Sequence, residues 1–311
     1  MDKNSERFKE LRHKKVRLIP FTVEKITESP IRPTSLETTG ILKKMGLSSV
    51  ESCVEIQGGF DSRVFRITAP GAAYALRLLP SQKYDQFIQE KKMMDIAARN
   101  GVPVPKVRKI QKIDGWAVML MEWGEGQTIL EALAEGPENA EILGMGFGKI
   151  QARINQAAIP DCHGEPRSWL TPSRQEAEIL SAIPRIDSKA VLLHLDYHPL
   201  NVLTDGRNVT VVLDWANATF GDCRFDIART FSIFQLAGHR NFKLHPQILA
   251  DFEWGWRKGY AELAGPFEQW DSMNLFYAWS GERLKRDLEA RMTEEDKKEI
   301  DRWTADWLKN K

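Results

Sequence analysis

The pattern of apolar and polar positions changes character near residues 123–126. Ahead of that point, short apolar runs alternate with turn residues. Val54 to Thr68, interrupted by Gly58-Gly59, and Ala73 to Leu79 carry strand-type residues. Val107 to Ile113 and Trp116 to Glu122 read as two further strands, and Asp114-Gly115 between them is a strong two-residue hairpin signal. Two helices are predicted in the same part. Thr34 to Met45 begins on a Thr or Ser able to cap it. Tyr84 to Asn100 carries Phe87, Ile88, Met94, Ile96 and Ala97, and Gly101 closes it. After Gly126 the helical period takes over, at 127–135, 138–157 and 173–182 and in long helices beyond 225. A β-rich island interrupts it at Val191 to Leu193, Val202 to Leu203 and Val209 to Leu213. Residues 1–33 are polar and charged, with Pro20, Pro30 and Pro33 as breaks, and read as a solvated arm.

Composition narrows the classes without naming one. The 311 residues hold 44 Lys plus Arg against 43 Asp plus Glu, a balance that argues against a nucleic-acid binder. The longest apolar runs, such as Ala117 to Met121, are far shorter than a membrane span, and the charged start lacks the apolar centre of a secretory signal. Three scattered cysteines, Cys53, Cys162 and Cys223, make neither a disulfide framework nor a zinc site and fit a reducing compartment, so a cytoplasmic location is expected.

The chemistry concentrates in His194-Leu-Asp-Tyr-His-Pro-Leu-Asn201 and in Val211-Val-Leu-Asp-Trp215. An apolar strand runs into Asp196, Asn201 follows five residues later, and Asp214 ends another apolar strand. Phosphoryl transfer from a nucleotide needs such a set: one carboxylate for the attacking hydroxyl, and an amide and a second carboxylate for magnesium on the phosphates. Two other patterns are decoys. His194 and His198 stand four apart like zinc ligands, but Pro199 and the preceding strand argue against a helix. Gly144-Met-Gly-Phe-Gly148 follows no strand, and on a helix Gly144 and Gly148 share a face, which points to close packing.

The loop and the following Asp-Trp resemble the aminoglycoside phosphotransferase family of small-molecule kinases, whose motif is roughly His-Gly-Asp-x-x-x-x-Asn and then Asp-Trp. The resemblance extends over roughly 50–290. It implies an α+β, two-lobed protein kinase-like fold. The antiparallel-sheet, nucleotide-binding lobe would span 34–123, and the mainly helical lobe for catalysis and acceptor binding 124–311. By resemblance Asp196 is the catalytic base, and Asn201 and Asp214 hold Mg2+. Ile56 to Phe65, with Gly58 and Gly59, resembles the nucleotide loop. Arg77 with Glu90 resembles the kinase strand-Lys and helix-Glu, with Arg in place of Lys. Glu122 and Trp123 fall where the adenine-facing hinge lies. In Gly221-Asp222-x-x-x-Asp226 the second Asp is structural, and Leu195 stands where Gly is commoner. The expected activity is transfer of the γ-phosphate of ATP or GTP to a hydroxyl of a small molecule. The expected partners are nucleotide and acceptor, with no nucleic acid and no membrane. The resemblance places the acceptor site in the C-terminal part, from Phe225 on, where tryptophans such as Trp254 and Trp256 and carboxylates such as Glu253, Glu262 and Glu268 stand among cations such as Arg257 and Lys258, with aminoglycoside, macrolide, amino alcohol and sugar all open. The alternative is a catalytically silent nucleotide-binding or interaction protein on the same fold.

Overall fold

Asp114 and Gly115 both adopt positive φ, 49° and 83°, the backbone of a type I′ turn. The turn reverses the chain in two residues and pairs β4 (Val107–Ile113) with β5 (Trp116–Glu122). Those strand limits are the ones the sequence predicts. The structure is a computed structural model that describes residues 35–56, 62–157, 171–183, 189–238, 242–289 and 292–309. The arm at 1–33 and the Gly58-Gly59 turn lie outside the described residues.

With β1 (Ser52–Ile56), β2 (Arg63–Ala69) and β3 (Ala72–Pro80), the hairpin completes an antiparallel sheet of order β1-β2-β3-β5-β4. Directly opposed residues share a face. Phe65, Leu76 and Leu120 stand opposite one another, and α1 (Ser35–Lys44) packs Ile41 and Leu42 on that face. Val64, Arg77 and Met119 line the other face, where α2 (Tyr84–Arg99) brings Phe87 against Met119 and Met121. The second half of α2 turns elsewhere: Met93, Met94, Ile96 and Ala97 join the large core of the helical part. Gly101, at φ 75°, stops the helix, and the Val102 N–H returns to the Ala97 carbonyl at 3.1 Å.

Gln127 and Thr128 are extended, not helical as the periodicity suggests. They form β6, which pairs with Thr204 and Leu203 of β8 (Val202–Thr204). Thr128 then caps α3 (Ile129–Glu135) in a capping box with Glu131. The helical part continues with α4 (Ala140–Gln156) and α5 (Arg174–Ser181). The island follows: β7 (Val191–Leu193), β9 (Val209–Val212) beside β8, and β10 (Thr219–Gly221) beside β7. Last come α6 (Cys223–Ser232), α7 (Pro246–Ala264), α8 (Met273–Leu288) and α9 (Glu294–Leu308). An antiparallel sheet followed by a mainly helical region is the expected α+β architecture.

The seam between α4 and α7 explains the glycines of α4. A Cβ at Gly148 would stand 2.1 Å from the Trp256 carbonyl oxygen, and one at Gly144 would stand 2.2 Å from that of Phe252. The contact is reciprocal, with Gly255 against Glu141 and Gly259 against Met145, each at 2.1 Å from a carbonyl oxygen. Backbone meets backbone here, and the packing reading of Gly144 and Gly148 holds.

Candidate active site

β7 delivers the chain to His194, which is fully buried. Its ring Nε2–H donates to the Leu213 carbonyl at 2.9 Å, and its Nδ1 accepts the Asp196 N–H at 3.3 Å. This pattern is satisfied by a neutral ring. Burial favours that form by pushing the ring's pKa down, against the pull of the Asp226 and Asp196 carboxylates. His194 therefore braces two strand ends, one before Asp196 and one before Asp214.

Leu195 adopts φ 62°, in the left-handed region. That conformation costs a residue with a side chain roughly 1–2 kcal/mol, which supplies a physical reason for glycine in the resembling motif. Helix α6 stabilises it. Buried Asp226 accepts the Leu195 N–H at 2.6 Å and the His194 N–H at 2.9 Å through one carboxylate oxygen. Its other oxygen takes the amides of Gln151 and Asn155.

The next residue is Asp196. Burial raises the cost of ionising its carboxyl, but the charge of His198 and a hydrogen bond from it, with smaller help from Arg229, hold the pKa at about 2. Asn201 folds back on it: Nδ2 lies 3.0 Å from the Asp196 carbonyl and 3.2 Å from its carboxylate. The Asn201 carbonyl accepts the Leu213 N–H at 2.7 Å, so Asp196, Asn201 and the residue before Asp214 share one hydrogen-bonded cluster. His194 and His198 lie on this loop and not on a helix, and no group of three or more His, Cys, Asp or Glu suited to a metal occurs among the described residues.

Asp214 is also left-handed, at φ 55°, and its side chain is about half exposed, at 46%. Arg77 connects it to the sheet. The Arg77 guanidinium forms a close ion pair with buried Glu90 of α2 and lies 4.0 Å from the Asp214 carboxylate, while its Nε donates to Ser62 at 3.2 Å. The structure thus brings five sequence-named residues to one place: Asp196, Asn201, Asp214, Arg77 and Glu90. At the lobe junction, the Glu122 and Trp123 N–H groups are bonded to the carbonyls of Lys106 and Ala73. The Glu122 side chain pairs with Arg108, and the Arg66 guanidinium lies over the Trp123 ring at 4.9 Å.

Several residues of the site escape a reading of the sequence. Val64, Ala75 and Met121 share the sheet face of Arg77 by register. Leu203 and Val211, paired across β8 and β9, press on Gly124, where a Cβ would stand 2.9 Å from the Leu203 side chain. Strand alternation holds the signal for the first set, once the pairing is known. In the C-terminal part most of the named acceptor groups are engaged internally. Glu253 and Glu268 both pair with Arg257, at 2.6 and 2.7 Å, and Glu262 pairs with Lys149. Trp256, Trp279 and Trp307 are buried, and Trp254 is exposed.

Comparison with known proteins gives a consistent picture. A family model described as "Phosphotransferase enzyme family" matches residues 52–182 and 169–266. The curated hygromycin-B 4-O-kinase of Escherichia coli is 25% identical over 215 residues, which span 59% of this chain and 62% of that protein. Among solved structures, an aminoglycoside phosphotransferase in ternary complex with AMP-PNP and hygromycin B superposes with a TM-score of 0.65. It has 19% identity and covers 89% of this chain and 98% of its own. A spectinomycin phosphotransferase in complex with ADP and spectinomycin gives a TM-score of 0.59 at 14% identity, covering 88% and 94%. At these identities the structural likeness speaks for the fold.

Proposed function

The chain belongs to the phosphotransferase enzyme family, and on that premise we propose that it moves the γ-phosphate of ATP or GTP to a hydroxyl group of a small molecule. One observation carries the reading: Asp196 and Asn201 share a hydrogen-bonded cluster with Leu213, the residue before Asp214, and Asp214 faces the Arg77 that Glu90 holds. A carboxyl held at about 2 is ionised at neutral pH, so Asp196 accepts a hydrogen bond from the acceptor hydroxyl, orients it and takes its proton as the new P–O bond to the acceptor forms and the bond from the γ-phosphorus to the β,γ-bridging oxygen breaks, releasing the nucleoside diphosphate. Arg77 is a fixed, forked cation for phosphate oxygens, and Glu90 holds it in place. Val64, Ala75 and Met121 above and Leu203 and Val211 below supply apolar surface for a base, next to the junction at Glu122 and Trp123. Gly58 and Gly59 would bring backbone amides to the phosphates.

The donor set fits magnesium. Asn201 and Asp214 offer oxygen atoms, the hard ligands that this ion takes in small number from protein. Bound there, it would neutralise charge on the transferring phosphate.

The relatives' acceptors, hygromycin B and spectinomycin, head the panel of hydroxyl compounds to be screened. It should continue through macrolides, amino alcohols and sugars, with ATP and GTP and with and without magnesium. Asp196→Asn keeps the size and loses the basicity. It should retain nucleotide binding by calorimetry, while transfer falls on the order of 10²-fold or more. Transfer as fast as in the unsubstituted protein would end the assignment of Asp196. No turnover of any acceptor by the unsubstituted protein would favour the silent nucleotide binder.

A further inference from the structure

Helix α6 holds the loop with two side chains, and the family motif accounts for only one. Asp226 takes the N–H of Leu195. Arg229, three residues on and therefore on the same helix face, donates from Nε to the carbonyl of Leu195 at 3.3 Å. The one left-handed residue ahead of Asp196 is thus held at both ends from a single helix, its donor by a carboxylate and its acceptor by a guanidinium.

The peptide held by Arg229 is the one that leads into Asp196. Its carbonyl belongs to Leu195 and its N–H to Asp196, and that N–H reaches His194 Nδ1. A peptide is planar, so a rotation that frees the carbonyl also withdraws the N–H from His194 and turns the Asp196 side chain. Arg229 itself is built in. Its side chain is 6% exposed, and its Nη2 pairs with Asp287 of α8 at 3.0 Å. The other Asp287 oxygen takes Arg283 Nε at 2.9 Å.

Resting on the kinase reading above, we infer that Arg229 is a positioning residue, which fixes the left-handed turn at Leu195 and so aims Asp196 at the acceptor hydroxyl. Leucine at this position sharpens the need for it. Glycine would enter the left-handed region freely, whereas leucine carries a torsional cost there that the hold on its carbonyl helps to offset.

The test compares Arg229→Met and Arg229→Lys in the natural chain and in a Leu195→Gly background. Arg229→Met should lower kcat on the order of 10-fold to 10²-fold, as a small misplacement of a reacting group does. Nucleotide affinity by calorimetry should stay within about 2-fold, because the loss falls on the chemical step. Amide hydrogen exchange across 193–198, read by mass spectrometry without acceptor, should speed up. Lysine cannot reproduce the fork to Leu195 and Asp287, so Arg229→Lys should recover only part of the rate. In the Leu195→Gly background the kcat penalty of Arg229→Met should shrink, since the turn no longer depends on the guanidinium.

A purely structural arginine predicts otherwise: lower thermal stability, unchanged loop exchange, and the same fractional loss of kcat in both backgrounds. That result overturns the inference. Should Arg229→Met fail to fold, Asp287→Asn loosens the guanidinium from behind and should raise loop exchange in the same segment; unchanged exchange overturns the inference too. If the unsubstituted protein phosphorylates nothing in the panel, the kinase reading fails, while loop exchange still decides whether Arg229 holds the turn.

Discussion

The seam between α4 and α7 and the loop around Asp196 both restrict where a Cβ can be tolerated, and they differ in kind. In the seam the restriction is space. Gly144, Gly148, Gly255 and Gly259 each face a backbone carbonyl at 2.1–2.2 Å from where a Cβ would sit, and backbone cannot step aside. In the loop the restriction is torsion. Leu195 and Asp214 have room for their side chains but sit at φ 62° and 55°. The sequence answers the first restriction with glycine and, at Leu195, the second with a hydrogen bond to Asp226 and one from Arg229. A steric overlap allows no substitute for the missing side chain, whereas an unfavourable torsion can be offset by neighbours that hold it.

The largest expected effect breaks the seam. Gly148→Ala places a methyl inside van der Waals contact of the Trp256 backbone, and it should cost roughly 4 kcal/mol or more. A urea unfolding midpoint equal to that of the natural protein would show that the helices separate easily. Next comes the support of the loop. Asp226→Ala strands the two buried N–H groups of His194 and Leu195, while the amides of Gln151 and Asn155 keep Thr230 and the Leu192 carbonyl. With each buried unsatisfied donor costing about 1–3 kcal/mol, the loss should be on the order of 3 kcal/mol, and transfer should vanish with it. Retained activity in a folded Asp226→Ala protein would remove the loop's dependence on α6. The smallest effect is the sharpest. Leu195→Gly should unfold at a higher denaturant concentration than Leu195→Ala, by about 1 kcal/mol, since only the torsion separates them. The ordinary order, alanine above glycine, would mean that the left-handed turn is not strained.

Local chemistry made much of this fold legible. Asp114-Gly115 encodes its own turn, so both flanking strands follow from the sequence, as does the end of α2 at Gly101. Where the partner is distant, the sequence is mute. Gln127 and Thr128 look helical until Thr204 and Leu203 pair with them. Asp196, Asn201 and Asp214 stand out because strand ends and a short loop space them closely along the chain. Arg229 does not, because the carbonyl it holds is 34 residues away and a backbone carbonyl leaves no trace in residue type. The acceptor-side carboxylates show the same limit: the sequence sets cations such as Arg257 among them, but only the fold pairs Arg257 with Glu253 and Glu268 and Lys149 with Glu262.

The placement of α2 has a mechanical consequence. Phe87 is packed with the sheet, and Met93 to Ala97 with the large helical core, so this one helix is fastened into both. The chain joins the same two bodies a second time after Glu122, where Gly124 and Gly126 press on β8. Two attachments leave a rigid body one freedom, rotation about the line between them. The Arg77–Glu90 pair adds a charged link between β3 of the sheet and that same helix, α2. The edge strand β1 is the one farthest in strand order from β5, which leads into the second attachment.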